Sequence, residues 1–384
     1  SSRADYGLLR PFLDELIKCP VIELQLIATG SHLNTDFGYT YKEIEIDGFY
    51  INEKIEILLS SDTPVGVSKS MGLTMISFSE AFSRLNPDIV FVMGDRFEIF
   101  SAVAAAHVSR LPVAHLSGGE VTKGAYDDAF RHSITKMSHL HFTSNLEYRK
   151  RVIQLGEKPK TVFNVGEIGL DNIRKLPLLT KVDLENDLSF KFNKKNFLIT
   201  FHPVTLEDNS SKIHLDHLLN YFIDKGDTNV IFTKTNADTF GRIINQTLDN
   251  YVKNHPETSI VVSSLGRVKY LSVLQFVDAV VGNSSSGIVE APSFHIGTIN
   301  IGDRQEGRIK AKSVIDCLPT KEGINKAFEE LFSSDFQKML KTLKNPYERE
   351  NGPKIILDAT LDFLKNKNSL KKGFFDLNLN KNSD

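Results

Sequence analysis

The chain has little of what would place it on a membrane, on nucleic acid or in an oxidising compartment. Its 384 residues contain two cysteines, Cys19 and Cys317, far apart and without metal-ligand spacing. They read as free thiols in a reducing compartment, not as a disulfide framework or a metal site. No apolar run reaches membrane-spanning length, and the start lacks the basic, apolar and small-residue regions of a signal peptide. The expected location is therefore the cytoplasm, with no membrane partner. Neither sign of charge dominates: 46 basic and 48 acidic residues give a formal charge of −2, and no long block of one sign precedes the tail. That balance argues against a nucleic-acid partner, while a small phosphorylated ligand would be met by a few placed Arg and His residues.

What is present is a repeating alternation. The length suits two domains, each large enough to bury a core. A helix is predicted over Leu8 to Lys18, then a strand over Val21 to Thr29 ending at Gly30-Ser31-His32. Ile89 to Met93 ends at Gly94-Asp95-Arg96, and Pro112 to Leu116 ends at Ser117-Gly118-Gly119-Glu120. Shorter strands are expected at Leu140 to Thr143 and Val162 to Val165, with helices at Met71 to Leu85, Ile99 to Arg110 and Asp127 to Ser138. The opening, Ser1 to Leu9, reads as a turn entering a helix, so a preceding first strand is expected to be missing.

After Gly166 the chain is polar and less regular through Lys194, as a domain connection should be. A second series follows: Phe197 to Phe201, Val230 to Thr233, Ile260 to Val262, Ala279 to Val281 and Thr298 to Ile301. Its exits carry His202-Pro203, Asn236-Ala237-Asp238, Ser263-Ser264, Gly282-Asn283-Ser284 and Gly302-Asp303-Arg304. The expected fold is α/β, with two Rossmann-like domains, parallel sheets and the active site in the cleft between them. The predicted boundaries are 1–168 and 169–352, with a final helix at about 353–370 completing the first domain and a poorly ordered polar tail at 371–384.

Ligands of such sheets bind at the carboxyl ends of the strands, and the polar clusters gather there. Asp95, Glu120 and the pair Asp127 and Asp128 lie at three exits of one domain, where gathered carboxylates repel one another and suit proton transfer. Arg131 and His132 follow Asp128 by three and four residues and can share its helix face. In the second series, Gly282-Asn283-Ser284-Ser285-Ser286-Gly287 breaks from a buried strand into a helix start, a pattern that offers N–H groups and hydroxyls to phosphate. Glu290 then suits a ribose diol, His202 and Arg304 or Arg308 suit phosphate charge, and Arg3 sits in a phosphate-facing first turn.

Seven stretches in order carry a resemblance. They are Arg3-Ala4-Asp5-Tyr6-Gly7, Gly94-Asp95-Arg96-Phe97-Glu98, Gly118-Gly119-Glu120, Asp127 to Lys136, His202-Pro203-Val204-Thr205, Gly282 to Gly287, and Asn300 to Arg308. Together they resemble the hydrolysing UDP-N-acetylglucosamine 2-epimerases of sialic acid biosynthesis, over roughly Ser1 to Ile356. The resemblance implies the glycosyltransferase-B architecture, a last helix crossing back to the first domain, no redox cofactor or metal, and a homo-oligomer, dimer or tetramer. It implies loss of the sugar C2 proton with departure of UDP from C1, giving a 2-acetamidoglucal, then addition of water at C1 to release N-acetylmannosamine.

By matching motif, Asp95, Glu120, Asp127 and Asp128 are the acid and base candidates, with Arg131 and His202 positioning sugar and diphosphate. Arg3, Arg96, Asn283, Ser284, Ser285, Ser286, Gly287, Arg304 and Arg308 would hold the UDP-sugar, Glu290 the ribose, and Ser263 to Leu265 the uracil. A related UDP-sugar, the diacetamido-trideoxy sugar of legionaminic acid synthesis, is compatible with the same residues. A glycosyltransferase of the same fold and a UDP-sugar-binding regulator without turnover are the other readings.

Overall fold

The short central strands are nearly unbroken apolar runs, so both faces of each sheet are buried there. A computed structural model of the chain describes all residues except 36–37, 60–62, 122–125, 172, 174–175, 204–209, 224, 236–240, 367–369 and 378–384, and the side chains of Arg3, Ala4 and Ser210. The expected exit Asn236-Ala237-Asp238 and the residues Val204 and Thr205 lie outside the described residues. The chain forms two compact units, one of Ser1–Glu120, Tyr126–Asn172 and Arg349–Asp384, the other of Val121–Ala125 and Ile173–Glu348. No helix of the described residues is long and apolar enough to cross a membrane.

The first unit contains α1 (Arg3–Ile17), β1 (Ile27–Thr29), α2 (Tyr41–Ile46), β2 (Glu53–Ile55), α3 (Pro64–Leu85), β3 (Val90–Met93) and α4 (Phe97–Val108). It continues through β4 (Val113–Leu116), α5 (Asp127–Met137), β5 (Leu140–Thr143), α6 (Leu146–Gln154) and β6 (Val162–Asn164). Strands β3-β4-β5-β6 form a parallel sheet in that order, and β1 and β2 form a separate parallel pair. Met93, Ala114, Leu116, Leu140 and Phe142 pack with α1 and the last helix, Gly352–Lys365. Val92 and Val113 share the other core with Phe78 and Phe82 of α3, Val103 and Ala106 of α4 and Ile134 of α5.

Two local expectations change. The strand over Val21 to Thr29 is only Ile27–Thr29, because its partner β2 is itself three residues long and Val21 is exposed. Arg3 is the first residue of α1 instead of a turn residue, since the Ser2 hydroxyl and the Asp5 carboxylate form a reciprocal capping box.

The second unit holds β7 (Lys195–Thr200), β8 (Thr228–Thr233), β9 (Ser259–Val262), β10 (Ala279–Gly282), β11 (Gly297–Ile301) and β12 (Val314–Cys317). All are parallel, in the order β9-β8-β7-β10-β11-β12, the doubly wound order of a dinucleotide fold. Phe197, Ile199 and Phe201 face a core with the helices Ser210–Phe222 and Lys321–Leu331, while Leu198 faces the helix Gly266–Leu274 on the other side. Strand order reverses between β7 and β10, so their exits, His202 and Asn283, emerge side by side.

The segment after the last helix, expected as a poorly ordered tail, lies against the first unit over its described part. Lys372 Nζ donates to Ser138 O at 2.6 Å and meets Glu157 Oε2 at 2.7 Å. Phe375 N donates to Gly156 O at 2.8 Å. Gly156 leaves room for the Phe374 ring, which a Cβ there would strike at 2.3 Å.

Candidate active site

In the first unit, exits of adjacent strands converge on one guanidinium. Arg131, one turn into α5 and almost fully buried, donates from Nη2 to Asp95 Oδ2 after β3 and from Nη1 to Ser117 O at 2.8 Å. The same Nη1 lies 3.7 Å from Glu120 Oε2 after β4. Ser144, at the end of β5, donates from Oγ to Glu120 Oε1 at 3.0 Å. The loop between β4 and Glu120 turns sharply, with Gly119 at φ +80° and its Cα so near α6 that a Cβ would lie 2.5 Å from Tyr148 O. Only glycine fits there.

The arrangement corrects one expectation. Asp95 and Glu120 do not simply confront each other, because the Arg131 cation stands between them and offsets their repulsion. Asp128 pairs instead with His132 one turn on, Oδ2 to Nε2 at 3.5 Å. Burial, with Arg131 nearby, pushes the His132 imidazole below its usual range despite Asp128, so at neutral pH it is uncharged and able to pass a proton. Asp127 is partly exposed in the first turn of α5. Arg96 Nε donates to the buried Glu98 carboxylate at 2.6 Å, which fixes the near end of a guanidinium still partly open to solvent.

In the second unit the switch point between β7 and β10 is clamped by one side chain. Asn283 Oδ1 accepts from His202 N at 2.7 Å, and Asn283 Nδ2 donates to His202 O at 2.8 Å. Gly282 makes this possible: its φ is +131° and a Cβ would lie 2.0 Å from Thr200 O. The carbonyl of Asn283 accepts from Arg304 Nη1 at 3.0 Å and Gln305 Nε2 at 2.9 Å, which brings the exit of β11 to the same point. We expect Asn283→Ala to cost about 2 kcal/mol of stability, as a lower urea midpoint, because the buried His202 N–H and C=O lose their partners together.

His202 was expected to balance phosphate with charge. Burial first, then the Arg304 cation, pushes its pKa down to about 3, so the imidazole is neutral at pH 7. The Gly-Ser stretch is a tighter turn than expected: the helix after it spans only Ser286–Val289, and Glu290 is its C-cap instead of a residue on its face. Ser285 holds the N-cap position without a side-chain capping bond. Ser284 Oγ lies 3.2 Å from Ser286 Oγ, and Tyr270 OH donates to Ser286 Oγ. Any phosphate grip here rests on hydroxyls and loop N–H groups more than on a long helix dipole.

Burial pushes the Glu290 carboxyl up to about 7 against the pull of Arg308. Ser263 is exposed after β9, whereas the Leu265 side chain is buried in the core with Leu198 and Leu274. Leu265 therefore offers a ligand its backbone and not its side chain. Arg3 falls where only the backbone is described. Ser144, Gln305 and Tyr270 were not singled out from the sequence. Gln305 lies inside the run from Gly302 to Arg308, while Ser144 and Tyr270 carry no motif and gain their role through space.

Known proteins resemble this chain along most of its length. Residues 14–360 match the family described as UDP-N-acetylglucosamine 2-epimerase. The chain is 43% identical over 377 residues to the GDP/UDP-N,N'-diacetylbacillosamine 2-epimerase (hydrolyzing) of Campylobacter jejuni subsp. jejuni serotype O:2, covering 98% of this chain and 97% of that protein. It is 39% identical to the polysialic acid biosynthesis protein P7 of Escherichia coli, covering 98% and 96% of the two. The crystal structure of the Neisseria meningitidis UDP-GlcNAc 2-epimerase bound to UDP-GlcNAc shares the fold, with a TM-score of 0.82 at 18% identity over 94% of this chain and 98% of that one. Two Rossmann-like units in one chain, the glycosyltransferase-B class of fold, and a match through almost the whole sequence make this chain a member of the UDP-N-acetylglucosamine 2-epimerase family, an enzyme of its hydrolysing UDP-sugar 2-epimerase type.

Proposed function

We propose that the chain converts UDP-N-acetylglucosamine and water to N-acetylmannosamine and UDP. A base removes the C2 proton as the C1–O bond to UDP breaks, leaving a C1=C2 double bond in 2-acetamidoglucal. Water then adds its oxygen to C1, and C2 takes a proton from the opposite face. The observation that carries this reading is the pair of carboxylates, Asp95 and Glu120, on one buried guanidinium at adjacent strand exits. A carboxylate held in place within a largely dehydrated site suits removal of a weakly acidic C–H, and a second suits the water step. The neutral His132 beside Asp128 supplies a further group able to move a proton. In the second unit, Ser284, Ser285, Ser286 and Gly287 hold the diphosphate, with Arg304, Arg308 and neutral His202 around it. Glu290 holds the ribose, and Ser263 and the Leu265 backbone the uracil.

The name of the E. coli relative supports a place in sialic acid synthesis. The name of the C. jejuni relative, 43% identical over nearly the whole chain, supports a second reading in which the same chemistry acts on UDP-N,N'-diacetylbacillosamine. Incubation of each sugar nucleotide with the protein in deuterated water, followed by NMR, separates the two. The expected result is UDP and a free 2-epimerised sugar deuterated at C2. Intact UDP-linked epimer, or transfer only in the presence of an acceptor sugar, would overturn the hydrolysing assignment.

Glu290 gives a pH test of the ribose contact. A carboxylate accepts both ribose hydroxyls better than the neutral acid does, and this group ionises at about 7. Affinity for a UDP-sugar, measured calorimetrically with a turnover-deficient variant, should rise several-fold from pH 6 to pH 8. In Glu290→Gln the rise should vanish, and a rise that persists would remove Glu290 from the site.

A further inference from the structure

We propose that Thr135 is a positioning residue for Asp95, acting through the buried imidazole of His115. The inference rests on the proposed role of Asp95 as an acid or base and names what aims its carboxylate.

Arg131 holds the tip of the Asp95 side chain, but a side chain held only at its tip can still swing with its backbone. The peptide group between Gly94 and Asp95 lies where the chain leaves β3, and Gly94 is left-handed there, at φ +77°. Strand β4 holds both polar groups of Gly94. Its N–H donates to Leu116 O at 3.1 Å, and its carbonyl lies 2.9 Å from His115 Nε2. That carbonyl shares a rigid plane with Asp95 N and Cα, so fixing the oxygen fixes the root of the carboxylate.

A carbonyl only accepts, so His115 Nε2 carries the ring hydrogen and Nδ1 presents a lone pair. Nδ1 lies 3.0 Å from Thr135 Oγ1, and the threonine hydroxyl therefore donates to it. His115 and Thr135 are both fully buried, so neither bond exchanges with water. Burial pushes the imidazole down to about 3, and the ring keeps this single neutral form at pH 7.

Two features tie this bond to the site. Thr135 follows Arg131 by four residues, on one face of α5. The helix thus grips Asp95 twice, through Arg131 on the carboxylate and through His115 on the peptide group before it. The second feature is Gly118, in the loop that carries Glu120. A Cβ there would stand 3.1 Å from both His115 Nδ1 and Thr135 Oγ1, so its absence leaves room for the bond. Packing alone does not call for the hydroxyl, because valine has the same shape as threonine.

The test is the kinetics of Thr135→Val, Thr135→Ser and His115→Phe on the UDP-sugar that the wild type turns over, with UDP affinity by calorimetry as the check of folding. Thr135→Val should lower kcat by about tenfold to a hundredfold, the cost of a slightly misplaced reacting group, with KM and UDP affinity within about twofold of wild type. Thr135→Ser keeps the hydroxyl and should bring kcat back to within about threefold of wild type. His115→Phe should lose at least as much as Thr135→Val. The double variant should lose no more than His115→Phe alone, because the two side chains act in series. A Thr135→Val enzyme with wild-type kcat, a serine no better than the valine, or losses that multiply in the double variant would overturn the proposal. If His115→Phe does not fold, the valine and serine variants decide alone. Asp95→Asn separates the two levels of inference. Wild-type turnover in that variant would remove Asp95 from the chemistry, whereas a loss there with none in Thr135→Val would remove only the role of Thr135.

Discussion

Asp95→Asn and Glu120→Gln should each lower turnover by about a hundredfold to ten-thousandfold, the contribution of a positioned acid or base, while leaving UDP affinity nearly unchanged. Both amides keep the shape of the carboxyl group and a hydrogen-bond acceptor for Arg131 or Ser144, so the loss is in proton transfer more than in packing. Arg131→Lys is expected to fail differently. A lysine presents one ammonium where the guanidinium reaches Asp95, Ser117 O and Glu120 from separate nitrogens. With buried carboxylates left poorly paired, both stability and turnover should fall, by about 3 kcal/mol in the unfolding measurement. Release of UDP followed by a coupled assay, with binding followed by calorimetry, separates these outcomes. If Asp95→Asn and Glu120→Gln both keep more than a tenth of wild-type turnover, the acid and base lie elsewhere.

Glu157→Gln should destabilise the protein by about 2 to 3 kcal/mol at pH 7, and the deficit should disappear in acid. Glu157 is nearly buried, and burial alone would raise its pKa. It is instead held down at about 2 by His141, whose Nε2 lies 3.0 Å away, and by the ammonium groups of Lys136 and Lys372. Burial pushes His141 below its usual range, so it donates as a neutral imidazole while the two lysines supply the charge. A carboxylate with a depressed folded-state pKa stabilises fully above its unfolded value of about 4.5, and loses that contribution as the pH falls towards 2. Urea unfolding of wild type and variant at pH 7 and pH 3 measures the change. An equal deficit at both values would show that Glu157 acts through packing alone. Because Lys372 comes from the segment after the last helix, removing residues 371–384 should reproduce part of the same loss.

The sequence was most legible where a strand is buried on both faces. Val90–Met93, Val113–Leu116 and Ala279–Gly282 lie within a residue or two of the predicted runs, since an unbroken apolar stretch bounded by glycine or proline has few other uses. Two of the edge strands were not legible. Glu53–Ile55 and Val314–Cys317 are short and partly exposed, with Lys54 and Asp316 facing solvent, and their pattern does not differ from that of a loop. At the site, position along the strand was readable and partnership was not. Asp95, Glu120, His202 and Asn283 announce themselves at strand exits. That Arg131 would stand between two carboxylates, or that Asn283 would grip both backbone groups of His202, depends on distances across the sheet that no local spacing encodes.

The return of residues 349–384 to the first unit sets an order for synthesis on the ribosome. The second unit is nearly continuous in sequence, from Ile173 to Glu348, and can close as soon as it has emerged. The first unit has to wait. Phe12, Val165 and Ile168 share their core with Ile356 and Phe363, so the earliest-made residues keep an uncovered apolar face until the last helix leaves the exit tunnel. At about 5 to 20 residues per second that interval is tens of seconds, long enough for a nascent-chain chaperone to find the N-terminal half before its own C-terminal helix does.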